Sequence, residues 1–300
     1  MLFPQQPFVR FPVNTVGRDF FFGDLHGCVG HLERLMAAVR FKPDRDRLFS
    51  VGDLIDHGPE SLRALECLKT WPFFHAVMGN HEAMALGSLN QLPARLKGPT
   101  IWMSNGGEWS RALSEDQWQL AREVLTGMPL AMEIPLRDGT RVGMVHAELQ
   151  SEQDWKAVES LSFNNVLSDD SPFRSIETEL IWGRGIARTV HAIRRDRERS
   201  AAAGRRSGYE DVLGPALGID VLISGHTITD NHLPVVEGNR WFIDTGSYHR
   251  NGKVTLVEPL TNSFWQVGWR KDGMEPQKRV SARRLLTQKP IASSPAGTHP

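Results

Sequence analysis

Short hydrophobic strings recur along the first third of the chain, and each stops abruptly at a loop of glycine, acids and histidine. Asp19 to Phe22 ends in three phenylalanines and breaks at Gly23-Asp24-Leu25-His26-Gly27. Leu48 to Val51 is a second apolar run, broken at Gly52-Asp53-Leu54-Ile55-Asp56-His57-Gly58-Pro59. Phe73 to Met78 is a third, broken at Gly79-Asn80-His81-Glu82. Apolar runs bounded in this way predict buried strands. Between them, Val29, Leu32, Leu35, Met36 and Val39 recur at helical spacing and would lay an apolar stripe over a sheet. Leu62, Leu65 and Leu68 predict a second helix with Pro59 in its first turn, and a third helix runs through Ala83 and Leu86. Strand, polar loop and helix thus repeat three times in about eighty residues, which predicts successive βαβ crossovers. Sheets of that kind present their sites at the carboxyl ends of the strands.

The pattern then changes. Leu92 to Trp109 reads as irregular, with Pro93, Pro99 and Asn105-Gly106-Gly107. Ser114 and Gln117 form a capping-box signature for a helix that Gly127 stops. Leu130, Met132, Ile134 and Leu136 alternate, and Asp138-Gly139 turns the chain into Arg141 to Val145, a predicted hairpin in a second sheet. The hairpin ends at His146-Ala147-Glu148. Ile219 to Ser224, Arg240 to Ile243, Lys253 to Val257 and Phe264 to Trp269 complete the strands, the first of them running into Gly225-His226-Thr227. Arg188 to Arg206 is strongly basic and reads as a solvated helix followed by a mobile loop. These features predict one domain over residues 1–270, with a basic insert at about 186–210 and a disordered tail over 271–300.

Composition narrows the partners more than the fold. With 35 basic and 35 acidic residues in 300 the net charge is zero, which gives no footing for nucleic acid or a membrane surface. Cys28 and Cys67 match neither a zinc spacing nor a disulfide framework, so a reducing, cytoplasmic setting is expected. Met1 to Pro7 lacks the shape of a secretory signal, and no run is long enough to span a bilayer.

The strand-end residues Asp24, His26, Asp53, Asp56, Asn80, His81, His146 and His226 combine oxygen and imidazole donors without a thiolate. Such donors suit paired manganese, iron or zinc ions better than magnesium alone. A two-metal centre serves phosphoester hydrolysis in particular. Alone, each residue is an ordinary core or surface group; in concert they are not.

In order and spacing, the loops at Asp24, Asp53, Asn80, His146 and His226 resemble those of the calcineurin-like metallophosphoesterases, above all the bacterial and lambda-phage serine/threonine protein phosphatases. Further echoes are Trp102 to Gly107, Ile181 to Arg184 and Ile243 to Gly246. The resemblance implies an α/β fold, an α+β sandwich of two mixed β-sheets packed face to face and flanked by helices. It implies a dinuclear centre for two divalent metal ions, manganese first with iron or zinc as alternatives. Asp24, His26 and Asp53 would hold the first ion. Asp53 would bridge to the second, completed by Asn80, His146 and His226. His81 would be the general acid, oriented by Asp56, while an activated water attacks phosphorus. Arg184, with Asn80 and His57, would bind the substrate phosphate.

Two positions depart from the family. His57 and Met78 stand where arginines are usual, and an arginine fork contributes about 1.5–3 kcal/mol through its charge-assisted bonds to phosphate. Hydrolysis is expected, on a phosphoprotein or a phosphorylated small molecule. The main reading is a serine/threonine protein phosphatase. The alternatives are a symmetrical dinucleoside-polyphosphate hydrolase and, in another class, a phosphate-sensing module with little turnover.

Overall fold

The computed structural model describes residues 6–90, 101–161, 176–205, 213–269 and 281–284. Two six-stranded sheets face each other. The first runs β1 (Phe8–Arg10), β5 (Ala131–Pro135), β6 (Arg141–Val145), β7 (Val221–Ser224), β9 (Arg240–Phe242) and β8 (Val235–Glu237). The second runs β12 (Ser281–Arg284), β11 (Ser263–Gly268), β10 (Lys253–Glu258), β2 (Asp19–Phe22), β3 (Arg47–Ser50) and β4 (Phe74–Ala76). Strands β2, β3 and β4 are mutually parallel, as are β6, β7 and β9. The expected two-sheet sandwich is therefore present, and the Asp138-Gly139 hairpin lies in the sheet opposite the βαβ units.

The three consecutive phenylalanines show why both faces of β2 are apolar. Phe21 points between the sheets with Phe49, Val77, Met144 and Ile223. Phe20 and Phe22 point the other way, into the layer that buries Val29, Leu32 and Leu35 of α1 (Val29–Ala38) and Leu65 of α2 (Ser61–Thr70). Strand side chains alternate, so a strand covered on both faces needs an unbroken apolar run. The third parallel strand is followed by α3 (Asn80–Asn90), which carries its site residues in its first turn. Beyond it come the short α4 (Ile101–Ser104) and α5 (Glu115–Gly127), whose Ser114–Gln117 capping box is reciprocal as expected, and then the short α6 (Trp155–Glu159) and α7 (Ile176–Trp182).

Several expectations need correction. Pro59 lies ahead of α2, before its cap Glu60, so it leads into the helix without entering it. The part of Leu92 to Trp109 that is described is ordered as α4 and a 3-10 turn over Gly107–Ala112. The basic stretch is only partly solvated: α8 (Gly185–Ala202) buries Ile186, Ala187, Val190 and Ile193, three of them against Val235 and Phe242. Two of its arginines are paired, Arg195 with Asp230 and Arg197 with Glu237. The mobile loop expected beyond Arg205 lies outside the described residues up to 212. Within the tail expected to be disordered, Ser281–Arg284 adds an antiparallel edge strand to β11. The rest of that tail lies outside the described residues. No helix among the described residues is long and apolar enough to cross a membrane.

One polar cluster ties the first sheet together. Glu133 on β5 is buried and accepts hydrogen bonds from Arg10 Nε (3.1 Å), Arg141 Nη2 (2.8 Å) and Trp155 Nε1 (2.8 Å). Burial opposes its ionisation, but these donors outweigh it and bring the pKa from 4.5 down to about 2. A lowered carboxylate pKa stabilises the fold above the unfolded value and is lost as the pH falls through the folded one. Glu133→Gln is therefore expected to lower the urea midpoint at neutral pH. The gap to wild type should narrow as the pH drops from 4.5 towards about 2. A gap independent of pH would show that charge at Glu133 is not the source.

Candidate metal centre

Six strand ends from the two sheets converge on one edge. Asp24 and His26 follow β2, Asp53 and Asp56 follow β3, and Asn80 and His81 follow β4. His146 follows β6, His226 follows β7 and Asp244 follows β9. The backbone there is tightly folded. His26, Asp53, Asp56, His57 and His226 all take positive φ, between 43° and 73°, a conformation that costs non-glycine residues about 1–3 kcal/mol each and clusters at functional sites. Two glycines make room for carboxylates. A Cβ on Gly79 would lie 2.1 Å from Asp53 Oδ1, and one on Gly225 would lie 2.1 Å from Asp24 Oδ1.

Asp53 Oδ2 lies among three imidazole nitrogens, 3.5 Å from His146 Nε2, 3.7 Å from His26 Nε2 and 3.9 Å from His81 Nε2. The ring orientations are set from outside. His26 Nδ1 donates to the Ile55 carbonyl at 2.9 Å, and His146 Nδ1 donates to the Val51 carbonyl at 2.8 Å. In each neutral ring Nε2 is left as an unprotonated acceptor. His146 Nε2 then faces Asn80 Oδ1 at 3.0 Å and His226 Nδ1 at 3.1 Å. Lone pairs on Asn80 Oδ1 and His146 Nε2 held this close, with a carboxylate oxygen beside them, repel unless a cation lies between them. Asp24, His26 and Asp53 form a second group whose ligand atoms lie within 4.8 Å of one another, as do those of Asp53, His146 and His226. The two groups share Asp53.

The charges agree with the geometry. Burial keeps His26 neutral, with its pKa lowered to about 3, and pushes His146 and His226 down as well. Neutral imidazole is the form that binds a metal. Burial lifts Asp244 to about 7, and burial with the Asp53 charge lifts Glu82 to about 8. Asp24 is pushed well up by burial, then by Asp244 and Asp53. Buried carboxylates crowded in this way lack compensating positive charge, which two divalent ions would supply. The donor set fits such ions.

Beside the centre, His81 Nδ1 is 2.7 Å from Asp56 Oδ2. Burial disfavours the His81 cation, but the Asp53 charge and the Asp56 hydrogen bond and charge outweigh it, and its pKa is raised to about 9. Asp56 is fully buried and has further partners absent from the sequence reading. Trp109 Nε1 donates to its Oδ1 at 2.7 Å, and Trp102 Nε1 donates to its Oδ2 at 2.9 Å. Glu82 was likewise assigned no role. Its carboxylate accepts from the backbone N–H of Asp53, Leu54 and Gly79 at 2.8, 2.8 and 2.9 Å, fastening the Asp53 loop to α3. Asp244 stands in the Ile243 to Gly246 echo without a role in the expected ligand set, although Arg240 to Ile243 stops at it in the same manner as the other strands stop at their loops.

Of the expected phosphate-binding residues, Asn80 is in the centre and Arg184 is at its rim, capping α8 half-buried, with its charge acting on His146, His226 and Asp244. Glu148 fixes that turn by accepting from the N–H of Gly185 and Ile186, both at 2.8 Å. His57 is exposed and stacks on Tyr248, with ring centroids 4.2 Å apart and planes inclined by 16°. Met78 belongs to the helix-side core and does not face the centre.

A two-sheet sandwich with a shared-carboxylate histidine site at one edge defines a metallophosphoesterase. Residues 20–230 match the calcineurin-like phosphoesterases, and the chain belongs to that family. It is 31% identical to serine/threonine-protein phosphatase 2 of Salmonella typhimurium over 229 residues, spanning 75% of this chain and 86% of that protein. A symmetrical bis(5'-nucleosyl)-tetraphosphatase of Shewanella baltica is 42% identical over 64 residues, 21% of this chain and 23% of that one. Among solved structures, a serine/threonine phosphatase from Saccharomyces cerevisiae shares the fold with a TM-score of 0.51 at 16% identity, covering 96% of this chain and 86% of that chain.

Proposed function

We propose that this metallophosphoesterase is a serine/threonine phosphoprotein phosphatase that uses two divalent cations, manganese foremost. The observation that carries the metal part is the cluster of facing lone pairs at Asn80 Oδ1 and His146 Nε2, 3.0 Å apart, beside His226 Nδ1 and Asp53 Oδ2. Asp24, His26 and Asp53 hold one ion in this reading. Asn80, His146 and His226 hold the other, with Asp53 between. Bound there, the ions would lower the pKa of a water towards neutrality and offset the charge gathering on the phosphoryl oxygens.

The chain's own residues supply the rest. His81, protonated and held by Asp56, gives its Nε2 proton to the leaving oxygen. Arg184 binds the phosphate from the α8 side by charge-assisted hydrogen bonds. His57 takes a position at the rim where the family usually has arginine.

The likeness to serine/threonine-protein phosphatase 2 along most of both chains supports the phosphoprotein substrate. The tetraphosphatase likeness covers only a fifth of this chain and less than a quarter of that protein. With manganese present, the protein is expected to release phosphate from phosphoserine and phosphothreonine peptides and to leave diadenosine tetraphosphate largely intact. ADP production from the dinucleotide without peptide dephosphorylation would favour the second reading.

A further inference from the structure

His57 does more than stand in for an arginine. It brings a third imidazole to the edge of the centre, and ligand nitrogens of His26, His57 and His81 lie within 4.8 Å of one another. The rings meet edge to face, with centroids 5.1 Å apart for His26–His57, 5.0 Å for His57–His81 and 4.8 Å for His26–His81. This group differs in chemistry from the two groups around Asp53. Those mix carboxylate oxygen with nitrogen; this one offers nitrogen alone.

We propose that His57 and His81, with His26 at their side, form an additional zinc site that inhibits the enzyme. Imidazole donors favour zinc over manganese, which prefers oxygen. A zinc ion held at about 2.0–2.1 Å from each nitrogen spans donors about 3.4 Å apart in a tetrahedral site. The required approach falls to His57, since its ring is exposed, whereas His81 is fixed through Nδ1 by Asp56 at 2.7 Å. The stack on Tyr248 guides that movement, because parallel rings slide past each other without losing contact. When the first ion of the centre occupies His26, the pair His57 and His81 remains, with water completing the shell. Coordination takes the lone pair of His81 Nε2 and releases its proton to solvent, so no proton is left for the leaving oxygen. The inhibitory consequence rests on His81 as the general acid; the zinc site itself does not.

The test uses the full-length protein loaded with manganese, then dialysed against graded zinc with total metal analysis and phosphatase assays in parallel. His57→Phe keeps a ring for Tyr248 but removes the nitrogens, and His57→Arg restores the family residue. Each rate is normalised to that variant's own rate without zinc. Wild type is expected to take up a zinc equivalent with its manganese retained, and to lose turnover as it does so. Both variants should lack that equivalent and need about tenfold or more zinc for the same fractional loss, at least the scale on which partners of a metal ligand change affinity. Equal zinc uptake in all three proteins, or zinc displacing manganese one for one, would overturn the site. Zinc uptake that depends on His57 in a protein with no manganese-dependent turnover would keep the site and reject the catalytic reading.

Discussion

Asp53→Asn is expected to lower turnover by at least about 10²–10³-fold, the scale for losing one preorganised electrostatic partner at a reacting centre. The metal content of the purified protein should fall with it. The reason lies in what surrounds one oxygen. Asp53 Oδ2 is the point nearest to His26, His81 and His146 at once, and its two ligand groups meet nowhere else. Burial opposes its ionisation, yet His146, His81 and His26 hold its pKa well below the usual carboxylate range. Asparagine preserves the shape but removes the charge, and turns an N–H₂ towards nitrogens that need a cation. The readout beyond activity is thermal. Ligands that bind only the folded state raise its stability with concentration, so manganese should raise the melting temperature of wild type and raise that of Asp53→Asn much less. Without added metal the variant should melt somewhat lower than wild type at neutral pH, because a carboxylate whose pKa is lowered in the fold contributes stability when ionised. An equal manganese-induced rise in both proteins would show that Asp53 does not join the two ions.

The legible and illegible parts of this molecule divide along the range of the interactions involved. The buried parallel strands β2 and β3 and their loops are local facts: an apolar run must be covered on both faces, and it ends where glycine, aspartate and histidine begin. Asp24, His26, Asp53, Asn80, His146 and His226 are all at such ends, which is why the candidate ligands could be read from the chain. Strands β1 and β8 could not, since neither is a buried apolar run ending at a loop of glycine, acids and histidine, and their identity comes from partners such as Met132 and Trp241. The strand at Ser281–Arg284 reads as polar tail because an edge strand is defined by its neighbour's backbone. In α8 a stripe at Ile186, Val190 and Ile193 is masked by five arginines in the same helix. The partners of Asp56 are hidden for a different reason: Trp102 and Trp109 follow it by 46 and 53 positions, a distance no short motif spans. Their signal was a run of tryptophan, asparagine and glycine with no structural role of its own. Gly107 supplies that role in part, since a Cβ there would lie 2.7 Å from the Trp102 ring.

Those tryptophans matter for the second large effect. His81→Asn is expected to cut turnover by about 10²–10⁴-fold on substrates with poor leaving groups such as phosphoserine, the range of a positioned general acid. On an aryl phosphate whose leaving oxygen needs no proton the loss should be much smaller. Metal content should stay near wild type, because His81 is beside the two ligand groups that share Asp53 and belongs to neither. The proton His81 would donate is retained by the Asp53 charge and the Asp56 hydrogen bond acting against burial. Asp56 keeps that hydrogen bond aimed because two indole N–H groups occupy its remaining acceptor positions and Ser61 Oγ accepts from its backbone N–H at 2.9 Å. Trp109→Phe removes the 2.7 Å donor while preserving an aromatic ring, and should produce a weaker version of the same leaving-group dependence. A purely structural loss would depress both substrates alike. Uniform loss on phosphoserine and aryl phosphate in His81→Asn would therefore remove His81 from the proton transfer and leave it as packing beside the metal centre.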